Sequence, residues 1–164
     1  MNECKSCQLP NSGEPPLILE NGWMVNHYGG KEGYLGWLAL SPVRHVMSVG
    51  ELSEIESKAL GISVNRLDRA LRAYWPIAFG EALDRVYVCH FFEGNALGDS
   101  ESWHLHFHII PRPVSFPPAW WAWNIASASM CSAFPDTYSK GSKEFKSRCR
   151  ALMDYLRSAV VPAA

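Results

Sequence analysis

The 164-residue chain predicts an α+β fold built on an antiparallel sheet, and three features of its hydrophobic pattern carry that reading. Two apolar runs near the start are separated by glycines, a long segment repeats its apolar residues at helical spacing, and two β-branched and aromatic runs precede a second helical pattern. Strands, helix, strands, helix is the order of an α+β chain with an antiparallel sheet, not of alternating βαβ units.

The first run, PLILENGWMVNHY, and the second, YLGWLALSP, flank the turn GGKEG and so read as paired antiparallel strands. Residues 53–75 carry Ile55, Leu60, Val64, Leu67, Leu71 and Tyr74 at the spacing of an amphipathic helix. Ser53 is its N-cap, Glu56 stands three residues on as in a capping box, and Pro76 is expected to end it. DRVYVCHFF, residues 84–92, and WHLHFHII, residues 103–110, read as a hairpin joined by the loop EGNALGDSES. Residues 111–141, with PPAWWAW, are rich in Pro, Ser and Trp and show no period. The tail SKEFKSRCRALMDYLRSAV spaces Phe145, Cys149, Leu152 and Leu156 for a terminal helix.

Composition narrows the function classes. Hydrophobic residues make up 48% and charged residues 19%, as in a globular chain able to bury a core without relying on disulfides or metals. A net charge of −1 with no block of Lys or Arg argues against a nucleic-acid polymer as partner, since phosphate neutralisation needs a basic face. No apolar run approaches the roughly 20 residues of a membrane span. The start, MNECKSCQLP, lacks the basic and apolar regions of a secretory signal, so the expected location is cytoplasmic with no membrane contact. Of five cysteines only Cys4 and Cys7 are closely spaced, which is no disulfide framework. Cys89, Cys131 and Cys149 read as buried or half-buried thiols.

ESWHLHFHIIPRP, residues 101–113, holds the strongest chemical signal. Alternation along a strand puts His104, His106 and His108 on one face and Leu105, Phe107 and Ile109 on the other. Chance placement of the chain's histidines would give about 0.008 such triplets, so the pattern is a signal. Two chemistries compete for it. Imidazoles can ligate a catalytic metal with an open position, or one imidazole can attack phosphorus while its neighbours hold the phosphate oxygens.

HLHFHIIPR resembles the defining motif of the histidine triad (HIT) superfamily, three histidines alternating with apolar residues and followed by two more apolar positions. Upstream, ILENGWMVN and GWLALSPVRHVMSVGEL resemble the family's paired strands and the segment leading into its long helix. The resemblance implies a HIT-like fold, with an antiparallel sheet of about five strands, one long helix after the second strand and a C-terminal helix. Residues 1–112 follow the family pattern, 113–164 form a divergent extension ending in the helix, and 1–164 read as a single domain.

By the same resemblance the chain is a nucleotide phosphohydrolase or nucleotidyl transferase acting on phosphoanhydride or phosphoramidate bonds. His106 is then the nucleophile that forms a covalent nucleotidyl-histidine, and His108 binds phosphate oxygens or protonates the leaving group. Zinc-containing bacterial members resemble this chain in four positions, which implies one structural zinc held by Cys4, Cys7, His45 and His104. For nucleotide binding the matching positions are Asn26, and in the loop before the triad Asn95 or Glu93, with Ser100 or Ser102 supplying a hydroxyl. Asp99 and Glu101 depart from the pattern by adding negative charge there. Trp37 departs as well, standing after Gly36 where many relatives have a histidine, and an indole has a single donor. His27 and His90 read as solvent or strand-edge histidines, and Arg112 as a phosphate contact or a surface pair. Trp120, Trp121 and Trp123 could line an interface, lie over the pocket, or simply be core, and relatives are mostly homodimers. The rival readings are a catalytically weak nucleotide-binding or regulatory protein of the same fold and a metal-dependent hydrolase using the triplet itself.

Overall fold

A computed structural model describes residues 4–91, 103–121 and 123–160. In chain order the main elements are helix α1 (Lys5–Gln8), strands β1 (Leu17–Ile18), β2 (Trp23–His27) and β3 (Leu38–Pro42), helix α2 (Glu54–Phe79), strands β4 (Leu83–Cys89) and β5 (Phe107–Pro113), and helices α3 (Asn124–Ser129) and α4 (Phe145–Val160). The five strands form one sheet in the order β1-β2-β3-β5-β4, and every neighbouring pair is antiparallel. PLILENGWMVNHY is interrupted at Glu20–Gly22, where Asn21 turns the chain through a left-handed conformation, so that a two-residue edge strand precedes the main strand β2.

The capping box that opens α2 is complete: Glu56 N–H donates to Ser53 Oγ at 3.2 Å, and Ser53 N–H donates to the Glu56 carboxylate at 2.8 Å. Arg44 adds two further bonds to that carboxylate and, with the backbone of Ser53, holds its pKa at about 2. At the other end the helix does not stop at Pro76. It continues to Phe79 and closes on left-handed Gly80. A proline this near the C-terminus forfeits one ladder bond. The final turn is held by aromatic packing, with Phe79 against Trp75 at 5.0 Å and Tyr138 at 5.3 Å.

The strand expected over 103–110 is shifted. Residues 103–106 lie outside the sheet and β5 runs from Phe107 through Pro113. The register explains how two prolines enter it: β3 pairs only Phe107 to Ile109, so Pro111 and Pro113 have β4 alone as neighbour and behave as edge residues. His108, Ala39 and Asn26 are cross-strand partners on β5, β3 and β2, and their side chains share one face of the sheet.

Leu38, Leu40, Val25 and Ile109 belong to the core with Leu67, Leu71 and Trp75 of α2 and Leu152, Leu156 and Val160 of α4. The Trp-rich stretch also contributes to it. Trp120 stacks on Phe134 at 5.4 Å, while Trp121 and Trp123 stay exposed. Cys131 is exposed too, unlike half-buried Cys89 and Cys149. Among the described residues no helix is long and apolar enough to cross a membrane.

Candidate active site and metal cluster

The Cys4-x-x-Cys7 spacing spans the first turn of α1 and brings both sulfurs to one place. His45 comes from the loop after β3 and His104 from the approach to β5. His104 Nδ1 lies 3.4 Å from each cysteine Sγ, and His45 Nδ1 is 3.4 Å from Cys7 Sγ. The four ligand atoms lie within 4.8 Å of one another. Zn–S and Zn–N bonds of about 2.3 and 2.1 Å at tetrahedral angles separate sulfur from nitrogen by about 3.6 Å, so a Zn²⁺-sized ion fits this donor set. The tautomer fits as well. His104 Nε2 meets the carbonyl oxygen of Pro42 at 2.8 Å, and since a carbonyl only accepts, that nitrogen carries the proton and Nδ1 presents its lone pair to the cluster. Burial and the adjacent Cys4 push the Cys7 thiol up to about 11, the behaviour of a sulfur pair that needs a cation to ionise.

His106, two residues on, has the opposite tautomer. Its Nδ1 lies 2.9 Å from the carbonyl of His104 and must donate to it, which leaves the lone pair on Nε2. The ring is half-buried, 4.8 Å from the His108 ring and 5.3 Å from Trp103. His108 is buried, and its Nδ1 accepts the Trp37 indole N–H at 2.9 Å, so its own proton sits on Nε2. Burial, with His106 beside it, lowers its pKa to about 4. Trp37 is thus not a vacant position but the partner of His108. Tyr28 stacks on Trp37 at 5.2 Å and lies perpendicular to the His108 ring at 4.8 Å. The Tyr28 hydroxyl donates to Glu32 at 2.6 Å. Burial alone would raise the Glu32 pKa, but the Tyr28 hydroxyl, its own backbone N–H and Lys140 overcome it and hold the carboxyl below its usual range.

Gly36 makes this arrangement possible. It sits at φ 88, and a Cβ there would collide with the Trp75 ring and lie 2.9 Å from Pro111. Its N–H donates to His27 Nε2 at 3.1 Å, and His27 Nδ1 faces the Tyr28 carbonyl at 3.2 Å. His27 is therefore a structural brace of the turn, not a solvent histidine. His90 gives its Nδ1–H to the His106 carbonyl at 3.0 Å and packs on Phe107. Of the two readings of Arg112 the pair is the one found, with a buried guanidinium: it is ion-paired with the exposed Asp84 at 2.6 Å and bonded to the carbonyls of Phe116, Pro117 and Trp120.

No protein-family model and no curated protein matches the chain. Among solved structures it is similar to a zinc-bound histidine triad family protein from Mycobacterium smegmatis, with 15% identity and a TM-score of 0.53 over 95% of this chain and 96% of that one. A histidine triad protein from Bradyrhizobium japonicum gives 18% identity and a TM-score of 0.54 over 88% and 89%. A hypothetical histidine triad nucleotide-binding protein from Sulfolobus tokodaii gives 16% and 0.54 over 96% and 91%.

The chain has the histidine triad fold. Within that fold Cys4, Cys7, His45 and His104 come together as one cluster, and His106 and His108 as an adjacent pair outside it. Asn26 is on the His108 face two strands away, about 10 Å at ordinary strand spacing, with its Nδ2 donating to the His27 carbonyl. Asn95, Ser100 and Ser102, with Glu93, Asp99 and Glu101, lie outside the described residues. Sequence reasoning missed the Tyr28, Glu32 and Lys140 group beside His108. The turn HYGGKEGYLGW that carries two of them showed only as a glycine-rich connection.

Proposed function

We propose that this histidine triad fold works as a nucleotide phosphohydrolase or nucleotidyl transferase, with His106 as nucleophile at the α-phosphorus of a nucleotide conjugate. The observation that carries this reading is the His106 tautomer, fixed by the His104 carbonyl so that Nε2 holds a lone pair. Attack by Nε2 forms the N–P bond, the bond to the leaving group breaks, and water then displaces the nucleoside monophosphate from the imidazole. His108, neutral with an Nε2–H, supplies a hydrogen bond for a phosphate oxygen without placing positive charge beside the nucleophile. Asn26, on the same face, is the proposed ribose contact, and Asn95, Ser100 and Ser102 are proposed contacts from the loop.

Zinc at Cys4, Cys7, His45 and His104 is proposed as structural, binding the N-terminal helix to the approach of β5. When bound, it neutralises the thiolates and rigidifies His104, whose carbonyl orients the nucleophile. The metal-hydrolase alternative is disfavoured because the metal-ligand cluster does not include His106 or His108.

The test uses adenosine 5′-phosphoramidate and diadenosine polyphosphates with wild type and His106→Ala. Release of AMP that disappears in His106→Ala, by a factor of about 10³ or more, together with nucleotide covalently trapped on wild type after rapid acid-free quenching, is expected. Equal nucleotide binding by both proteins with turnover by neither would sink the enzyme reading.

A further inference from the structure

We propose that Lys140 is the cation that binds the leaving group, and that the site accordingly serves nucleotide conjugates whose leaving group is itself a phosphate or polyphosphate. The inference rests on the nucleophile reading above and adds to it a leaving-phosphate subsite supplied by the segment after β5.

The register of the sheet sets the order of the groups. His106 lies two residues before His108 on the approach to β5. Ala39 pairs with His108 and Leu38 with Ile109, so Trp37 falls on the opposite side of His108 from His106. Tyr28 extends that row, its N–H donating to the Trp37 carbonyl at 2.8 Å. The His106 and His108 rings are 4.8 Å apart, the His108 and Tyr28 rings are 4.8 Å apart, and Lys140 Nζ stands 6.0 Å from the Tyr28 ring centroid. Entering and leaving atoms at phosphorus are roughly in line. A phosphate bonded to the His108 Nε2–H and attacked from His106 therefore releases its leaving group toward Tyr28 and Lys140.

Lys140 is built into that position. The Tyr138 carbonyl accepts the Leu35 N–H at 2.9 Å, which pins the segment to the turn before Gly36, and Lys140 Nζ donates to the Gly30 carbonyl. Gly33 gives the ammonium room, since a Cβ there would lie 3.1 Å from Nζ. An ammonium has three N–H donors, so two remain for a ligand. The Glu32 carboxylate is engaged by the Tyr28 hydroxyl at 2.6 Å. Burial lowers the Lys140 pKa, while Glu32 and Cys149 favour the charged amine. A half-buried ammonium has given up part of its hydration, and charge-assisted hydrogen bonds to a phosphate replace it.

In the reaction the His106 Nε2 lone pair forms the N–P bond while the bridging P–O bond breaks, and the electron pair of that bond goes to the leaving phosphate oxygen. Lys140 gives hydrogen bonds to this phosphate and keeps its protons, so the developing charge meets a cation already in place. Water then attacks phosphorus, the electron pair of the N–P bond returns to Nε2, and one water proton goes to solvent.

The experiment measures kcat/KM for two substrates attacked at the same adenosine 5′-phosphate. Diadenosine tetraphosphate has a leaving group that carries phosphates, and the 4-nitrophenyl ester of AMP has one that carries none. Lys140→Met is expected to lower kcat/KM for the tetraphosphate about 10–100-fold and for the aryl ester less than about threefold. An equal fall on both substrates, or no fall on the tetraphosphate, in folded Lys140→Met overturns the inference and leaves the nucleophile reading standing. Should Lys140→Met fail to fold, the lysines of wild type are acetylated and read by mass spectrometry, with exposed Lys143 and Lys146 as internal controls. AMP with inorganic pyrophosphate is expected to slow labelling of Lys140 where AMP alone does not. Protection by AMP alone, or by neither, overturns the inference. Turnover of neither substrate, with no nucleotide on His106, overturns both readings.

Discussion

The two ends of the segment from His104 to Pro113 carry basic side chains on one continuous piece of backbone, and they differ in what their polar atoms have left to offer. At the first end each histidine uses one ring nitrogen on a fixed partner and leaves the other for an ion or a ligand. His104 donates to Pro42, His106 donates to the His104 carbonyl, and His108 accepts from Trp37. At the second end Arg112 has its guanidinium bonded to Asp84 and to the carbonyls of Phe116, Pro117 and Trp120. Availability to substrate therefore follows from the partners each polar atom already has, and neither charge nor proximity to the triad is sufficient.

The largest effect that sharpens this contrast is at Arg112. Asp84 is exposed and contributes little, but each carbonyl of Phe116, Pro117 and Trp120 left buried without the guanidinium costs about 1–3 kcal/mol. Arg112→Met is therefore expected to lower unfolding stability by that order while leaving KM for a nucleotide conjugate within about twofold, since the guanidinium touches no substrate. Denaturant unfolding alongside steady-state kinetics checks both halves. A variant of normal stability and greatly raised KM would make Arg112 a phosphate ligand after all and break the comparison.

A smaller effect separates His104 from His106. An ion that binds only the folded state at a hundredfold excess over its Kd adds about 2.7 kcal/mol. Cys7→Ser is accordingly expected to lose bound zinc and, at 2–4 °C per kcal/mol, about 5–10 °C in Tm. The folded variant should retain chemistry at His106, because Cys7 does not touch that ring. Elemental analysis and thermal melts test the first part. Immediate loss of turnover on chelation, before any change in the melt, would place the metal in the reaction instead.

Much of this site was legible in the sequence because it depends on local pattern. The alternation of three histidines, Cys4 and Cys7 one turn apart, and the Ser53 and Glu56 capping box are all readable from spacing. Partners brought together by long-range packing were not readable. Spacing cannot show that the Pro42 carbonyl would meet His104 or that Trp37 would meet His108 on the neighbouring strand. Nor can it show that Arg112, seven residues beyond Leu105, would turn inward to tie down the Trp-rich segment. The strand shift has the same origin. Proline breaks a strand only where both of its sides are paired, and past Ile109 the β3 side of β5 is not.

The smallest effect compares His27, both of whose ring nitrogens are engaged, with His108, which keeps one free for a ligand. Burial lowers both pKa values to about 4, helped by Lys140 for His27 and by His106 for His108. An unfolded histidine titrates near 6.5. Between these values the unfolded chain binds more protons than the folded one, so the stability from keeping each ring neutral is complete above about pH 6.5 and is lost as pH falls towards 4. Each ring contributes a slope of up to about 1.4 kcal/mol per pH unit in that window. Denaturant titrations from pH 7 to 4.5 on wild type and His27→Gln are expected to differ in slope by about one proton. Adding a nucleoside monophosphate should alter the slope that remains in His27→Gln, because a phosphate bound at the His108 Nε2–H changes that ring's proton affinity, while the wild-type-minus-variant difference stays fixed. A difference slope that moves with the nucleotide would mean that His27 also faces the ligand, and the distinction between a closed and an open histidine would fail at that residue.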